Sequence, residues 1–483
     1  MRIIRQKRMN LMTFSFSNSM LSACLHFHII QNPKVKQLQQ ILQEISINIC
    51  MMFNKKISEL AKNRNAQIKW ILETHFHADF VSGHRELQNL TGATIVYGPT
   101  AVANYPIKEG KDGELLPLGN VQIRIDHTPG HTMESSCFVL VHNGKDHSVY
   151  TGDTLFLGEV GRPDLAVKVG ELTVEMLATY LYDSLRNKVM KLNDDVIVYP
   201  GHGAGSSCGK SIGAGKCCTI GMQKKNNYAL QDISKEQFIQ QVLTGMPKPP
   251  QYFFHDAKLN KSGPSDFSSI LTQVQKALTF EQFMNYVKQG ALILDTRPNI
   301  QEGVIKGAIN VTFMSGLVNF VGSIIKPDTQ LVIIGKDGEA KDSILRLLRI
   351  GYDNIFGYLE GGFEAYKNNG GELATKVQIV GVEELCNIDD NRDDHVFVDV
   401  RGIGELRETG FVKGAICIAL PELEGNVDKI PRDKKLHIYC KSGWRAKIAM
   451  SILVRNGFES IMITQDGGFE DMWAKKLIER DQM

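Results

Sequence analysis

Apolar and polar positions alternate along this chain in short blocks. Ile45-Ser-Ile47-Asn-Ile49 has the two-residue period of a strand. Over 54–65, Ile57, Leu60 and Ala61 recur at helical spacing among Asn and Lys residues, which predicts a short amphipathic helix. Residues 68–73 predict a buried strand, 85–90 a helix and 94–97 a second strand. Further strands are predicted at 121–126, 137–142, 148–151 and 195–199, with a helix over 171–185.

The chemistry lies where these strands stop. His75 and His77 follow the first buried strand, in Thr74-His75-Phe76-His77-Ala78-Asp79-Phe80. His131 closes His127-Thr-Pro-Gly-His131, Asp153 closes Thr151-Gly-Asp153, and His202 closes Tyr199-Pro-Gly-His202. Strand ends of a layered sheet gather at one rim, where loops carry function. A lone histidine is usually a surface or core residue. Four strand-end sites bearing metal-ligand side chains point instead to a metal loop.

Residues 246–264 run from Met246-Pro-Lys-Pro-Pro250 to Gly263-Pro264 and are Pro-rich, which predicts an irregular linker. An internal repeat follows. Its first copy has Asp295-Thr-Arg297, Gly303 and Gly307, the strand Leu331-Val-Ile-Ile-Gly335, and Gly361-Gly-Phe363. Its second has Asp399-Val-Arg401, Gly410 and Gly414, the strand Leu436-His-Ile-Tyr-Cys440, and Gly467-Gly-Phe469. The offset is about 105 residues throughout. Strands alternating with helices make each copy a small α/β domain with a parallel sheet. The expected division is an atypical segment at 1–52, a first domain at 53–245, a linker at 246–274, and repeat domains at 275–372 and 375–483.

The repeat contains its own control. Cys440 opens the loop Cys440-Lys441-Ser442-Gly443-Trp444-Arg445, which runs into a helical stretch, whereas the first copy has Gly335 there. A thiol at a helix N-terminus faces unpaired N–H groups. Those donors and Arg445 favour a thiolate, and Lys441, Ser442, Gly443 and Trp444 would surround a bound persulfide. The first copy is then a structural or docking domain.

Composition adds limits. The 483 residues suggest about three domains. A net charge of +2 without a basic run gives no reason for a nucleic-acid partner. No apolar stretch is long enough for a membrane span. Nine cysteines without a regular framework fit a reducing, cytoplasmic setting. Leu21-Ser22-Ala23-Cys24 is like a lipoprotein cleavage box, but the Ser- and Asn-rich residues before it make a poor apolar core for export.

The N-terminal motifs resemble the metallo-β-lactamase superfamily, and the repeat resembles rhodanese domains. Their order resembles bacterial persulfide dioxygenase–sulfurtransferase fusions. The resemblance implies a mixed α/β and α+β chain, with an αββα sandwich followed by an inactive and an active rhodanese-like α/β domain. Two-metal hydrolases of the superfamily carry a ligating His where this chain has Phe80, which implies one metal here. Gly161-Arg162-Pro-Asp164 resembles a segment of the persulfide dioxygenase group. That likeness implies one Fe(II) on His75, His131 and Asp153, with zinc as the alternative. His77, Asp79 and His202 would then be supporting or alternative ligands. Arg162 would pair with Asp164 or steady an anionic substrate, and Cys208 would handle sulfur near the metal. The implied substrates are glutathione- or coenzyme A-type persulfides, O₂ and sulfite, and a homo-oligomer is compatible with this reading. A zinc thioester hydrolase of the glyoxalase II type and a non-enzymatic sulfur carrier are the rivals. Superfamily members also begin with a strand pair ending in an Asp-Pro turn. None is evident here, so the first sheet is expected to be incomplete or rebuilt.

Overall fold

The computed structural model describes residues 27–30, 54–63, 65–168, 170–246, 248–314, 316–387, 392–464 and 467–482. The predicted strand at 45–49 and the lipoprotein-like stretch at 21–24 lie outside these residues. Among the described residues, ten strands form two sheets in the first domain. β1 (Phe27–Ile30), β2 (Ile68–Leu72), β3 (Thr94–Tyr97) and β4 (Lys108–Glu109) make a sheet in that order. Upstream of the histidine loop the described residues supply one strand, β1, paired antiparallel to β2, in place of the strand pair.

The second sheet holds β5 (Leu115–Leu118), β6 (Val121–His127), β7 (Ser136–His142), β8 (Lys145–Gly152), β9 (Ile197–Pro200) and β10 (Cys218–Thr219), in reverse order. Strand alternation sorts its side chains into layers. On β7, Cys137, Val139 and Val141 join Ala178, Leu181 and Leu185 of helix Val174–Asn187, while Phe138 and Leu140 meet Leu72 and Val96 of the first sheet. Ile71, Ile95 and Tyr97 face the other way, onto Ile57 and Leu87 of helices Asn54–Asn63 and His84–Thr91. Helix, sheet, sheet and helix thus stack around three cores, the αββα arrangement.

The two repeats fold alike, each with five parallel strands in the same order. The first uses β11 (Ala277–Leu278), β12 (Leu292–Asp295), β13 (Ile309–Asn310), β14 (Leu331–Ile334) and β15 (Ile355–Leu359), ordered β11-β15-β14-β12-β13. The second uses β16 (Val377–Val380), β17 (His395–Asp399), β19 (Ile416–Cys417), β20 (Lys435–Tyr439) and β21 (Ile461–Thr464), ordered β16-β21-β20-β17-β19. The two remaining strands, β18 (Phe411–Val412) and β22 (Arg480–Asp481), pair antiparallel.

The repeated residues serve structure. Arg297 donates to Asp295 at 2.9 and 2.7 Å and to the Gly303 carbonyl at 2.9 Å, and it lies 3.5 Å over the Phe363 ring. Arg401 repeats this with Asp399 at 2.6 Å, the Gly410 carbonyl at 2.7 Å and the Phe469 ring at 3.9 Å. Each buried cation is paired and stacked, as a low-dielectric interior requires.

One expectation is corrected. The stretch at 246–264 read as irregular contains helix Tyr252–Ser262, and helix Phe267–Val274 follows it within the linker bounds 246–274. The buried stripe of the first is Tyr252, Phe253, Asp256 and Asn260. Half of it is polar, so its helical period has no hydrophobic signal.

Candidate functional site

The four strand ends do meet. His75 follows β2, His131 lies in the β6–β7 loop, and Asp153 and His202 follow the parallel neighbours β8 and β9. His75, His131 and Asp153 are buried and each offers a ligand atom within 4.8 Å of the others. His75 Nε2 is 3.7 Å and His131 Nε2 3.4 Å from Asp153 Oδ2. Ligands about 2.1 Å from a shared ion, at ordinary angles, lie roughly 3.0–3.5 Å apart, close to these values. Asp153 Oδ1 and His75 Nε2 are buried without a hydrogen-bond partner, so the donor set fits a divalent cation.

Each imidazole is aimed from behind. The Arg162 carbonyl accepts from His131 Nδ1 at 2.8 Å, and Thr74 Oγ1 is 2.9 Å from His75 Nδ1. Such outer contacts set the tautomer and leave Nε2 for a metal. Burial pushes His75 down to about 3 despite the opposing pull of Asp153, so its ring is neutral. Burial alone would raise the Asp153 carboxyl, but His202 foremost outweighs it and holds it well below the usual carboxylate range. A neutral ring and an ionised carboxylate are the forms a metal takes.

The Gly161-Arg162-Pro-Asp164 segment acts by placement. A Cβ on Gly161 would stand 2.0 Å from the Asp153 carbonyl oxygen and 3.0 Å from His131 Nδ1. Arg162 is buried, and its guanidinium donates to Asp164 at 2.7 and 2.8 Å and to the Ser207 carbonyl at 3.1 Å. Its backbone N–H donates to the Cys208 carbonyl at 2.9 Å. Arg162 therefore ties the His131 side of the site to the Cys208 loop, and of its two expected roles the pairing with Asp164 is the one present. Gly161→Ala is expected to cost about 1–3 kcal/mol by overpacking, read by urea unfolding, and to weaken metal binding in a chelator titration.

Asp79, His202 and Cys208 form a second compact group within 4.8 Å. His202 Nε2 is 3.2 Å from Asp153 Oδ2 and 3.6 Å from Asp79 Oδ2, so Asp153 stands between the two groups. Burial lifts Asp79 to about 6, against the pull of His202. Burial, with Asp79, pushes the Cys208 thiol up to about 12. His77 belongs to neither group. Its Nε2 is 3.7 Å from Glu73 Oε2, and its ring lies 4.4 Å from that of Phe80, a buried residue with no ligand atom.

Cys440 sits between β20 and helix Trp444–Arg455, and it is buried. Gly443 caps the helix with φ +87, a left-handed conformation that suits glycine. A Cβ on Gly468 would meet the Cys440 carbonyl oxygen at 2.2 Å, so Gly467-Gly468 closes over the loop. Arg445 lies within electrostatic reach of Cys440 and pairs with Glu405, one contact being 2.8 Å. Its charge is thus shared with a carboxylate that sequence periodicity gave no means of finding. Lys441 pairs with Glu470 at 3.2 Å, and Ser442 and Trp444 are exposed. In the first repeat a side chain at Gly335 would meet Thr296 Oγ1 at 2.3 Å. That position lacks both the thiol and the space for one.

Residues 52–202 match the model of the Metallo-beta-lactamase superfamily, and residues 279–369 and 382–475 match that of the Rhodanese-like domain. A probable hydroxyacylglutathione hydrolase of Schizosaccharomyces pombe is 33% identical over 162 residues, 34% of this chain and 57% of that protein. A hydroxyacylglutathione hydrolase of Pelagibacter ubique is 32% identical over 151 residues, 31% of this chain and 57% of that protein. This chain spans about half the length of the curated relatives it matches. A crystal structure of a metallo-beta-lactamase from Staphylococcus aureus subsp. aureus COL is 28% identical with a TM-score of 0.55, covering 64% of this chain and 88% of that one.

Proposed function

We propose that this chain, a metallo-β-lactamase domain followed by two rhodanese-like domains, oxidises low-molecular-weight persulfides and passes on sulfane sulfur. The observation that carries the reading is a pairing: a buried two-histidine, one-carboxylate group and a thiol-bearing helix-start loop occur in one chain. Two imidazoles and a carboxylate suit non-haem Fe(II) with open positions. In this reading His75, His131 and Asp153 hold one Fe(II). Bound iron would supply O₂ activation for oxidation of the terminal sulfur. Overall, RSSH, O₂ and H₂O give RSH and sulfite.

The chain's own residues do the rest. Thr74 and the Arg162 carbonyl hold the two imidazoles, and Phe80 keeps a further ligand out. Cys208, beside Asp79 and His202, is assigned to contact with substrate sulfur. At the second site Cys440 Sγ attacks the sulfane sulfur of a persulfide. That S–S bond breaks and RSH leaves with the proton. Sulfite then attacks the outer sulfur of the Cys440 persulfide, releasing thiosulfate and the Cys440 thiolate. Arg445 steadies the charge. The substrates proposed are glutathione- or coenzyme A-type persulfides, O₂ and sulfite. The proposed setting is cytoplasmic, and no helix among the described residues is long and apolar enough to cross a membrane.

A second reading has its own support. The relatives named as hydroxyacylglutathione hydrolases suggest a zinc-dependent thioester hydrolase, and Asp79, His202 and Cys208 could hold a second ion next to Asp153. The two readings separate when the chain is loaded anaerobically with Fe(II) or Zn(II). Glutathione persulfide turned over only by the iron form supports oxidation. A glutathione thioester hydrolysed by the zinc form, with no persulfide turnover by the iron form, would sink it.

A further inference from the structure

The backbone of the metal loop is held from outside its own sheet. Residues 74–83 are neither helix nor strand, so their N–H and C=O groups need other partners. Asn260 supplies three of them and is fully buried. Its amide nitrogen donates to the His77 carbonyl at 2.8 Å and the Phe80 carbonyl at 2.7 Å, and its Oδ1 accepts from the Ser82 N–H at 2.8 Å. The hydroxyl of Tyr105 donates to the Asn260 carbonyl at 2.8 Å, fixing this residue in turn. The Val81 N–H, between the Asn260 contacts, donates at 2.6 Å to the carbonyl of Arg349 in the first repeat domain.

Helix Tyr252–Ser262, which carries Asn260, belongs to that same side of the molecule. Tyr252 and Phe253 share one core with Ala78, Val81 and Cys208 and with Leu317, Val321 and Tyr352 of the first repeat. Gly322 of the first repeat is packed so closely that a Cβ would meet Tyr252 Cδ1 at 2.2 Å. At Gly351, φ +69, a Cβ would meet Asp256 Oδ1 at 2.6 Å and His255 Cδ2 at 2.8 Å. The helix is clamped by the first repeat at one end and grips the metal loop at the other.

We infer that Asn260 is a positioning residue for the metal loop, and that the thiol-free first rhodanese-like domain serves the metal site through it. The inference rests on the reading of His75, His131 and Asp153 as metal ligands. The side chain must be an amide, because only an amide both donates twice and accepts once. A carboxylate of the same shape would face two carbonyl oxygens with nothing to donate.

The test uses the full chain and Co(II) alone as probe, read by its visible ligand-field spectrum and by competition with a chelator. Asn260→Ala and Asn260→Asp are expected to weaken Co(II) binding about 10–100-fold, the range for lost outer contacts, and to change the spectrum, with circular dichroism and elution volume unchanged. Gly351→Ala, far from any ligand in sequence, is the second variant and is expected to weaken binding several-fold through the helix. Folded Asn260 variants with wild-type Co(II) affinity and spectrum overturn the inference. If those variants do not fold, a folded Gly351→Ala chain with wild-type Co(II) binding overturns it. A wild-type chain that binds no Co(II) removes the metal-site reading as well, a result distinct from either.

Discussion

His75→Ala is expected to abolish persulfide-dependent O₂ uptake while leaving sulfur transfer at Cys440 intact. His75 supplies one of three converging donors, and its Nε2 is buried with no hydrogen-bond partner. The change removes a ligand directly, so the loss should exceed the roughly 100-fold expected of outer contacts. Iron per chain should fall with it. Transfer at Cys440 should persist, because that loop is built from β20, helix Trp444–Arg455 and the Gly467-Gly468 turn. Retained iron and O₂ uptake would move the oxidation site to the Asp79, His202 and Cys208 group.

Cys440→Ser is expected to do the converse. A serine hydroxyl fits the same space but cannot carry sulfane sulfur. Sulfur transfer should fall at least about a thousandfold, as when a nucleophile is removed. O₂ uptake should remain, and sulfite should accumulate in place of thiosulfate. Thiosulfate formation at the wild-type rate would remove the transferase role. The two variants together separate the sites, which a single activity measured on the wild-type chain cannot do.

His75, His131, Asp153, His202 and Cys440 were readable because each follows an apolar strand at its end or in the loop after it, and the structure brings His75, His131, Asp153 and His202 to one rim. The repeat was readable because Asp, Arg, Gly and Phe recur at one offset. The structure adds that they form a paired and stacked arginine in each copy. Contacts between distant parts of the chain were not readable. The Arg162 carbonyl behind His131, Glu405 on Arg445 and Asn260 across the metal loop leave no period and no motif. Helix Tyr252–Ser262 was hidden for a related reason: its buried face needs Asp256 and Asn260 as much as Tyr252. Polar residues that satisfy a neighbouring loop look, in sequence, like solvent-facing ones.

The upstream strand shows the same limit. Phe27–Ile30 adds one upstream strand to the first sheet by pairing with Ile68–Leu72, although no Asp-Pro turn marks it. Strand pairing is decided by the partner's free edge as well as by local pattern. The exposed ion pairs, such as Lys441 with Glu470, contribute little by comparison.

The most direct test follows O₂, sulfite and thiosulfate together as the iron-loaded wild-type chain turns over glutathione persulfide. One O₂ should be consumed per sulfur oxidised, recovered as sulfite and thiosulfate combined. Persulfide consumption with no O₂ uptake, or a chain that turns over only a glutathione thioester, would contradict it.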